Sequence, residues 1–253
     1  MPGPDGGLTA MTATRIAMWS GPRNVSTALL RSWGNRADTA VWDEPLYAHY
    51  LTQYRPDHPG IPEILATHET DWRKVVAGIL GPVPGGKAIF YQKHMAHHML
   101  PHIEDGWLAG LTNAFLIRDP AEVLLSMSKT MRAVTLQDTG FPDQYRLFRR
   151  VEALTGRTPP VIDARDIGAA PEAALRALCD ALDVPFDPTM LSWPAGPRDT
   201  DGVWAKYWYD NVNASTGFRT WRPREEPLPE RMVPLLKELA PICDAMSEHR
   251  LLV

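Results

Sequence analysis

The run Ser20-Gly21-Pro22-Arg23-Asn24-Val25-Ser26-Thr27 has the make-up of an anion trap. It lies between a short apolar stretch, Ile16-Ala17-Met18-Trp19, and a helical one, Ala28-Leu29-Leu30-Arg31-Ser32-Trp33. The first N–H groups of a helix have no intrahelical acceptor, and the macrodipole makes that end positive. A strand–turn–helix of this kind therefore attracts a phosphate or a sulfate ester. Ser26 and Thr27 add hydroxyl donors, and Arg23 adds a planar cation. The run has no Gly-Lys-Ser/Thr, and Val25 stands where a nucleotide kinase would carry glycine, so the reading is a general anion loop. A second run, Phe115-Leu116-Ile117-Arg118-Asp119-Pro120, ends an apolar strand and turns into a helix. Ser126 falls about two turns into that helix, where it can converge with Arg118 on one ligand.

Such residues need a scaffold that presents strand ends. Apolar runs over 15–19, 40–43, 88–92, 114–117 and 161–164 read as strands. Helical spacing covers 26–34, 71–80, 121–133, 143–155, 171–182 and 229–249, with Pro171 placed for a first turn. Their alternation predicts a single α/β domain over 15–253. Its sheet is mostly parallel, with four or five strands flanked by helices and ligands at the carboxyl ends of the strands. The Gly-, Pro- and Thr-rich stretch 1–14 reads as a disordered leader.

Composition narrows the partners. The 253 residues carry a formal net charge of −4, which implies no broad nucleic-acid surface. No apolar stretch reaches the length of a membrane span. Two cysteines, Cys179 and Cys243, cannot form a disulfide framework, and fit a reducing compartment such as the cytoplasm. His94, His98 and His102 recur every four residues, but Pro101 interrupts any helix there, and no bound metal is expected.

The ordered pair of anion motifs resembles the sulfotransferases that use 3′-phosphoadenosine 5′-phosphosulfate (PAPS), whose fold is akin to that of the P-loop NTPases. The resemblance implies that Gly21, Pro22, Arg23, Asn24, Val25, Ser26 and Thr27 hold the 5′-phosphosulfate, while Arg118 and Ser126, eight residues apart, grip the 3′-phosphate. The segment Ser215-Thr216-Gly217-Phe218-Arg219 resembles the family's C-terminal loop over the nucleotide, and implies contacts to the 3′-phosphate or adenine. Arg23 stands where cytosolic members carry lysine, as in tyrosylprotein and some bacterial sulfotransferases. Ala28 and Ala164 stand where cytosolic members place aromatic adenine contacts. The implied reaction is sulfuryl transfer from PAPS to a hydroxyl or amine of a small-molecule acceptor, with PAP as product and Arg23 stabilising the departing phosphate. Two residues compete as general base. Glu44, after the second strand, resembles the catalytic glutamate of tyrosylprotein and trehalose sulfotransferases. His94, in Lys93-His94, resembles the strand of cytosolic enzymes that carries a lysine and a catalytic histidine. The Arg-type loop accompanies the Glu-type enzymes, which tilts the reading towards Glu44.

Overall fold

The computed structural model describes residues 13–54 and 60–253. The leader expected over 1–14 lies outside the described residues save for its last two, and Thr14 already opens the first strand. Five strands form one sheet: β1 (Thr14–Ser20), β2 (Thr39–Asp43), β3 (Ile89–Met95), β4 (Thr112–Ile117) and β5 (Val161–Asp163). Their order is β2-β3-β1-β4-β5, and every pairing is parallel. The expected α/β sheet is thus present in its five-stranded, fully parallel form.

A parallel sheet covered on both faces needs apolar residues on both, and β1 shows how. Ile16 and Met18 face one core, with Leu29, Trp33 and Tyr91. Ala17 and Trp19 face the other, with Trp72, Phe115 and Phe148. α1 (Ser26–Gly34) follows β1. α2 (Tyr47–Gln53), α3 (Ile61–Thr67) and α4 (Trp72–Leu80) fill the link from β2 to β3. α5 (Pro120–Ser128) and α6 (Phe141–Thr155) link β4 to β5. α7 (Ala164–Ala169), α8 (Pro171–Ala181), α9 (Ala205–Trp208), α10 (Asp210–Asn213) and α11 (Val233–Ser247) complete the chain. Local chemistry explains several boundaries. Asp71 caps α4 by accepting from Arg73 N, and Asp119 caps α5 by accepting from Glu122 N, with Pro120 in the first turn.

The short helices α2, α3 and α7 are not foreseen in the sequence, because six or seven residues carry too little periodicity. α5 stops at Ser128 rather than running to 133. The chain turns there, and Met131, Val134 and Leu136 pack towards α11. α11 begins at Val233, after a separate turn at Glu230–Met232, because Pro234 has no N–H with which to extend a preceding helix. Among the described residues no helix is long and apolar enough to cross a membrane.

After β1 the chain moves towards β2, and after β4 it moves the other way, towards β5. A crevice therefore opens at the carboxyl ends of the central strands. An aromatic-rich strap, 192–221, closes over it. Its anchor is Arg31 of α1, whose guanidinium makes a two-pronged pair with Asp201, 2.7 Å on the NH2 side, and also donates to Asn213 Oδ1 at 3.1 Å. Only 2% of the Arg31 side chain and 4% of that of Asp201 is exposed. Removing one partner of a sealed ion pair strands the other charge. Asp201→Ala is therefore expected to lower unfolding free energy by about 3–5 kcal/mol, read from urea denaturation curves.

Candidate active site

The anion loop begins where β1 ends. Asn24 ties it to the sheet by donating to Leu116 O at 3.1 Å, and its own Oδ1 accepts from Val25 N at 3.0 Å. Gln144, on α6, donates to Leu116 O at 2.8 Å from beneath. Gly140 permits the close approach of the supporting turn. Its φ is +70°, and a Cβ there would meet Pro22 Cδ at 2.9 Å. Val25 keeps a negative φ of −87°, and Arg23 takes the left-handed position instead, at φ 61°. A non-glycine residue there costs about 1–3 kcal/mol, which the surrounding contacts must supply.

Those contacts join the two anion motifs. Arg23 Nε donates to Ser126 Oγ at 3.0 Å, and Arg118 NH1 donates to Arg23 O at 2.7 Å. Arg118 is held in turn by Glu122, at 2.9 and 2.8 Å, and the other oxygen of Glu122 accepts from Trp221 Nε1 at 2.9 Å. Burial, helped by the charges of Arg118 and Arg224, lowers the Arg23 pKa, so cations crowd together here. At the start of α1 no side chain caps the helix, which leaves its first N–H groups at the mouth of the crevice.

The crevice is a cleft of about 2140 Å³. Ten Arg and Lys against six Asp and Glu line it, in a chain whose net charge is −4. Positive charge is therefore concentrated where the helix dipole also points. Six of the lining cations, Lys129, Arg132, Arg146, Arg165, Arg222 and Arg224, escape a motif-based reading. The signal for two of them was the run Arg219-Thr220-Trp221-Arg222-Pro223-Arg224.

The strap segment 215–219 divides its tasks. The Ser215 hydroxyl is occupied within the strap, donating to Val212 O at 2.7 Å and accepting from Trp193 Nε1 at 3.2 Å. Thr216 does not line the cleft, and its carbonyl accepts from Trp193 N at 3.0 Å. Phe218 packs edge-on against Trp193, with centroids 5.0 Å apart, while Gly217 and Arg219 border the cleft. Gly21 is also not in the lining, and serves as the tight approach to Thr139 O.

Glu44 and His94 separate clearly. Glu44 follows β2 with φ 45°, the second left-handed non-glycine residue at the site. Its N–H donates to Lys93 O at 2.9 Å, and its carboxylate accepts from Lys93 Nζ at 2.5 Å. Lys93 also donates to Asp43 Oδ1 and to Tyr209 OH, both at 2.9 Å, and Tyr209 OH donates to Asp43 Oδ2 at 2.6 Å. Burial pushes the Glu44 carboxyl up, the Lys93 charge opposes this, and the Asp43 charge adds to it; the net direction is upward. For Lys93 burial acts downward, but the charges of Asp43 and Glu44 outweigh it and keep the ammonium protonated.

His94 points to the opposite face of β3 and does not line the cleft. Its ring stacks on Trp19 with centroids 4.3 Å apart, and its Nε2 lies 3.2 Å from Gln92 Oε1. Burial, then the Lys93 charge, pushes its pKa down to about 3. The physical reason is strand geometry: neighbouring residues project to opposite faces, so Lys93 and His94 cannot serve one site together. The other histidines do not gather round a centre either. His49 and His102 meet through their Nε2 atoms at 2.8 Å, and among the described residues no group of three or more candidate ligands could hold a metal.

Beyond Glu44 the cleft is walled by aromatic rings. Tyr47 stacks on His98 at 4.7 Å and meets the edge of Trp204 at 5.0 Å, and Tyr50 stacks on Tyr54 at 5.3 Å. The lining thus includes a cationic set around Arg23 and Arg118 and an aromatic set that begins with Tyr47 beside Glu44.

The Sulfotransferase domain family matches residues 14–250. Two Arabidopsis thaliana proteins named branched-chain-amino-acid aminotransferase-like protein 2 and protein 1 are 34% and 35% identical over 234 residues, or 92% of this chain. The chain spans only 41% and 42% of their lengths. Among solved structures, a sulfotransferase domain from the curacin biosynthetic pathway superposes with a TM-score of 0.50 at 15% identity, covering 90% of this chain and 98% of that one. A sulfotransferase from Alicyclobacillus acidocaldarius superposes with a TM-score of 0.52 at 11% identity, covering 94% and 97%. At such identities the likeness is one of fold. With the family match spanning nearly the whole length, the chain belongs to the sulfotransferase-domain family.

Proposed function

We propose that this protein transfers a sulfuryl group from PAPS to a hydroxyl or amine of a small-molecule acceptor, with Glu44 as general base. The observation that carries the reading is the single arrangement that links Arg23, Ser126 and Arg118 in the cationic set of the cleft and leaves Glu44 on the lining beside Tyr47 of the aromatic set. The donor fits the residues present. The uncapped first turn of α1, with Ser26 and Thr27, suits the 5′ end, while Arg118, Ser126 and Arg219 suit the 3′-phosphate. PAPS supplies the activated sulfuryl group and a phosphate leaving group.

The protein's own part is placement and charge. Arg23 lies where negative charge on the leaving side is best met. Glu44 takes the acceptor's proton, and its raised pKa makes it a stronger base than a solvated glutamate. Lys93 fixes the direction of the Glu44 carboxylate. The strap covers the donor end and shields it from water. Cys179 and Cys243 are both buried and free, which suits a reducing compartment, and we place the reaction in the cytoplasm.

The name of the plant relatives raises transamination as another chemistry. A Schiff-base lysine must present a neutral amine, whereas the buried Lys93 is held charged by two carboxylates. We attribute that part of the name to the length those proteins have beyond this chain.

Arg118→Ala is expected to weaken adenosine 3′,5′-bisphosphate about 10- to 100-fold, the loss of one charge-assisted contact, as measured by titration calorimetry. Unchanged affinity would remove the second motif from the donor site. For the base, kcat/KM should fall as pH drops through a pKa above the ordinary glutamate value, because Glu44 must be deprotonated to act. Glu44→Gln should abolish most turnover. His94→Gln should leave that acid limb in place, since a ring with a pKa of about 3 does not titrate there.

A further inference from the structure

Lys93 is one ammonium shared by two carboxyl groups. Asp43 is its register partner across β2 and β3, and Glu44 is the next residue along. Exposure separates the three. The side chains of Asp43 and Lys93 are 1% and 2% exposed, while that of Glu44 is 12% exposed and faces the cleft. Tyr209, brought in by the strap between α9 and α10, completes a closed ring. It accepts from Lys93 Nζ, donates to Asp43 Oδ2 and accepts from Trp204 Nε1 at 3.3 Å. Gly202 N also approaches Asp43 Oδ2, at 3.5 Å. Asp43 therefore has both oxygens engaged and lies sealed from the cleft, and it competes with Glu44 for the same cation.

We propose that Asp43 and Tyr209 are positioning residues that divide the Lys93 charge between two carboxyls and thereby set the proton affinity and direction of Glu44. This rests on the reading of Glu44 as the base. Formally, one ammonium against two carboxylates leaves one uncompensated negative charge, and of the two carboxylates Glu44 borders the cleft while Asp43 does not. When Glu44 accepts a proton, the acceptor's O–H or N–H bond breaks, an O–H bond forms on the carboxyl, and the cluster becomes neutral. The charged and titratable groups around Glu44 come from four elements: Asp43 from β2, Tyr47 from α2, Lys93 from β3 and Tyr209 from the strap. Of these, Asp43 is the group that pits a second negative charge against Glu44. Tyr209 acts on Glu44 through Asp43: it satisfies Asp43 and so limits how much of Lys93 that residue withdraws.

The test reads the Glu44 proton directly in the full-length chain labelled with 13C-glutamate, using the infrared carboxyl band that disappears in Glu44→Gln. Asp43→Asn should lower the midpoint of that band, because the competing charge is gone and Lys93 turns fully to Glu44. Tyr209→Phe should raise it, because Asp43 loses its donor and draws Lys93 away. A purely structural role would not produce shifts of opposite sign. An unmoved midpoint in Asp43→Asn, or a fall in Tyr209→Phe, overturns the proposal. If Asp43→Asn does not fold, Tyr209→Phe decides alone on the same criterion. Calorimetry with adenosine 3′,5′-bisphosphate on the unmodified protein keeps the two readings apart. Failure to bind defeats the donor assignment and leaves the titration interpretable, whereas PAPS turnover that survives Glu44→Gln defeats the base.

Discussion

The structure turns on the burial of one lysine. An ammonium group sealed in a protein interior must be matched by charge and by hydrogen-bond acceptors, or the fold cannot keep it there. Lys93 meets that condition with groups from three parts of the chain: the end of β2, the residue after it, and the strap. Each partner is thereby fixed as well. Asp43 is held in register across the sheet, Glu44 is held in a left-handed backbone conformation, and Tyr209 pins the strap to the sheet. The lysine determines where the cleft closes as much as what its floor is made of.

The cationic half of the cleft follows the same logic with the signs reversed. Arg23 and Arg118 lie close enough to disfavour one another, and only a few groups offset this: Ser126, the Arg23 carbonyl and Glu122. Glu122 satisfies Arg118 on one edge and accepts from Trp221 with its other oxygen, so the strap reaches this half too. Gly168 makes that reach possible, because a Cβ there would stand 2.8 Å from Trp221 Cβ. One segment therefore carries Tyr209 beside Lys93 and Trp221 beside Glu122. Two points within it are joined to α1 by the Arg31–Asp201 pair and the Arg31–Asn213 bond.

What could be read from the residues was what depends on near neighbours in the chain. The strand–turn–helix around Arg23 and the Arg118–Ser126 spacing are local patterns, and both were legible, as was the α/β alternation that built a five-stranded parallel sheet. The contacts that Asp43, Glu122, Tyr209 and Trp221 make around the cleft were not legible. Their roles come from partners such as Lys93 and Arg118, which are distant in sequence for three of the four. His94 is a different case, because strand alternation already says that it and Lys93 cannot face one site together. Lys93 and His94 are adjacent on a strand and must project to opposite faces, and the structure gives Lys93 to the Glu44 side and His94 to the face of Trp19 and Trp107. The alternation of β3 carried the exclusion, while the choice of face came from the distant partners of Lys93.

Arg23 and Glu44, at φ 61° and 45°, share a feature that connects the two halves. Each lies just past the end of a parallel strand, where the backbone must leave the sheet sharply to present a side chain over the strand ends. Neither position is glycine, so each carries a conformational cost that an ordinary turn would avoid. That cost is sustained by bonds made after the turn: Ser126 and Arg118 on Arg23, and Lys93 on both the N–H and the carboxylate side of Glu44. Relaxing either turn would swing its side chain away from these partners. The strained backbone and the charge clusters are thus one device, in which electrostatic bonds hold two side chains at angles that the local chain would not choose.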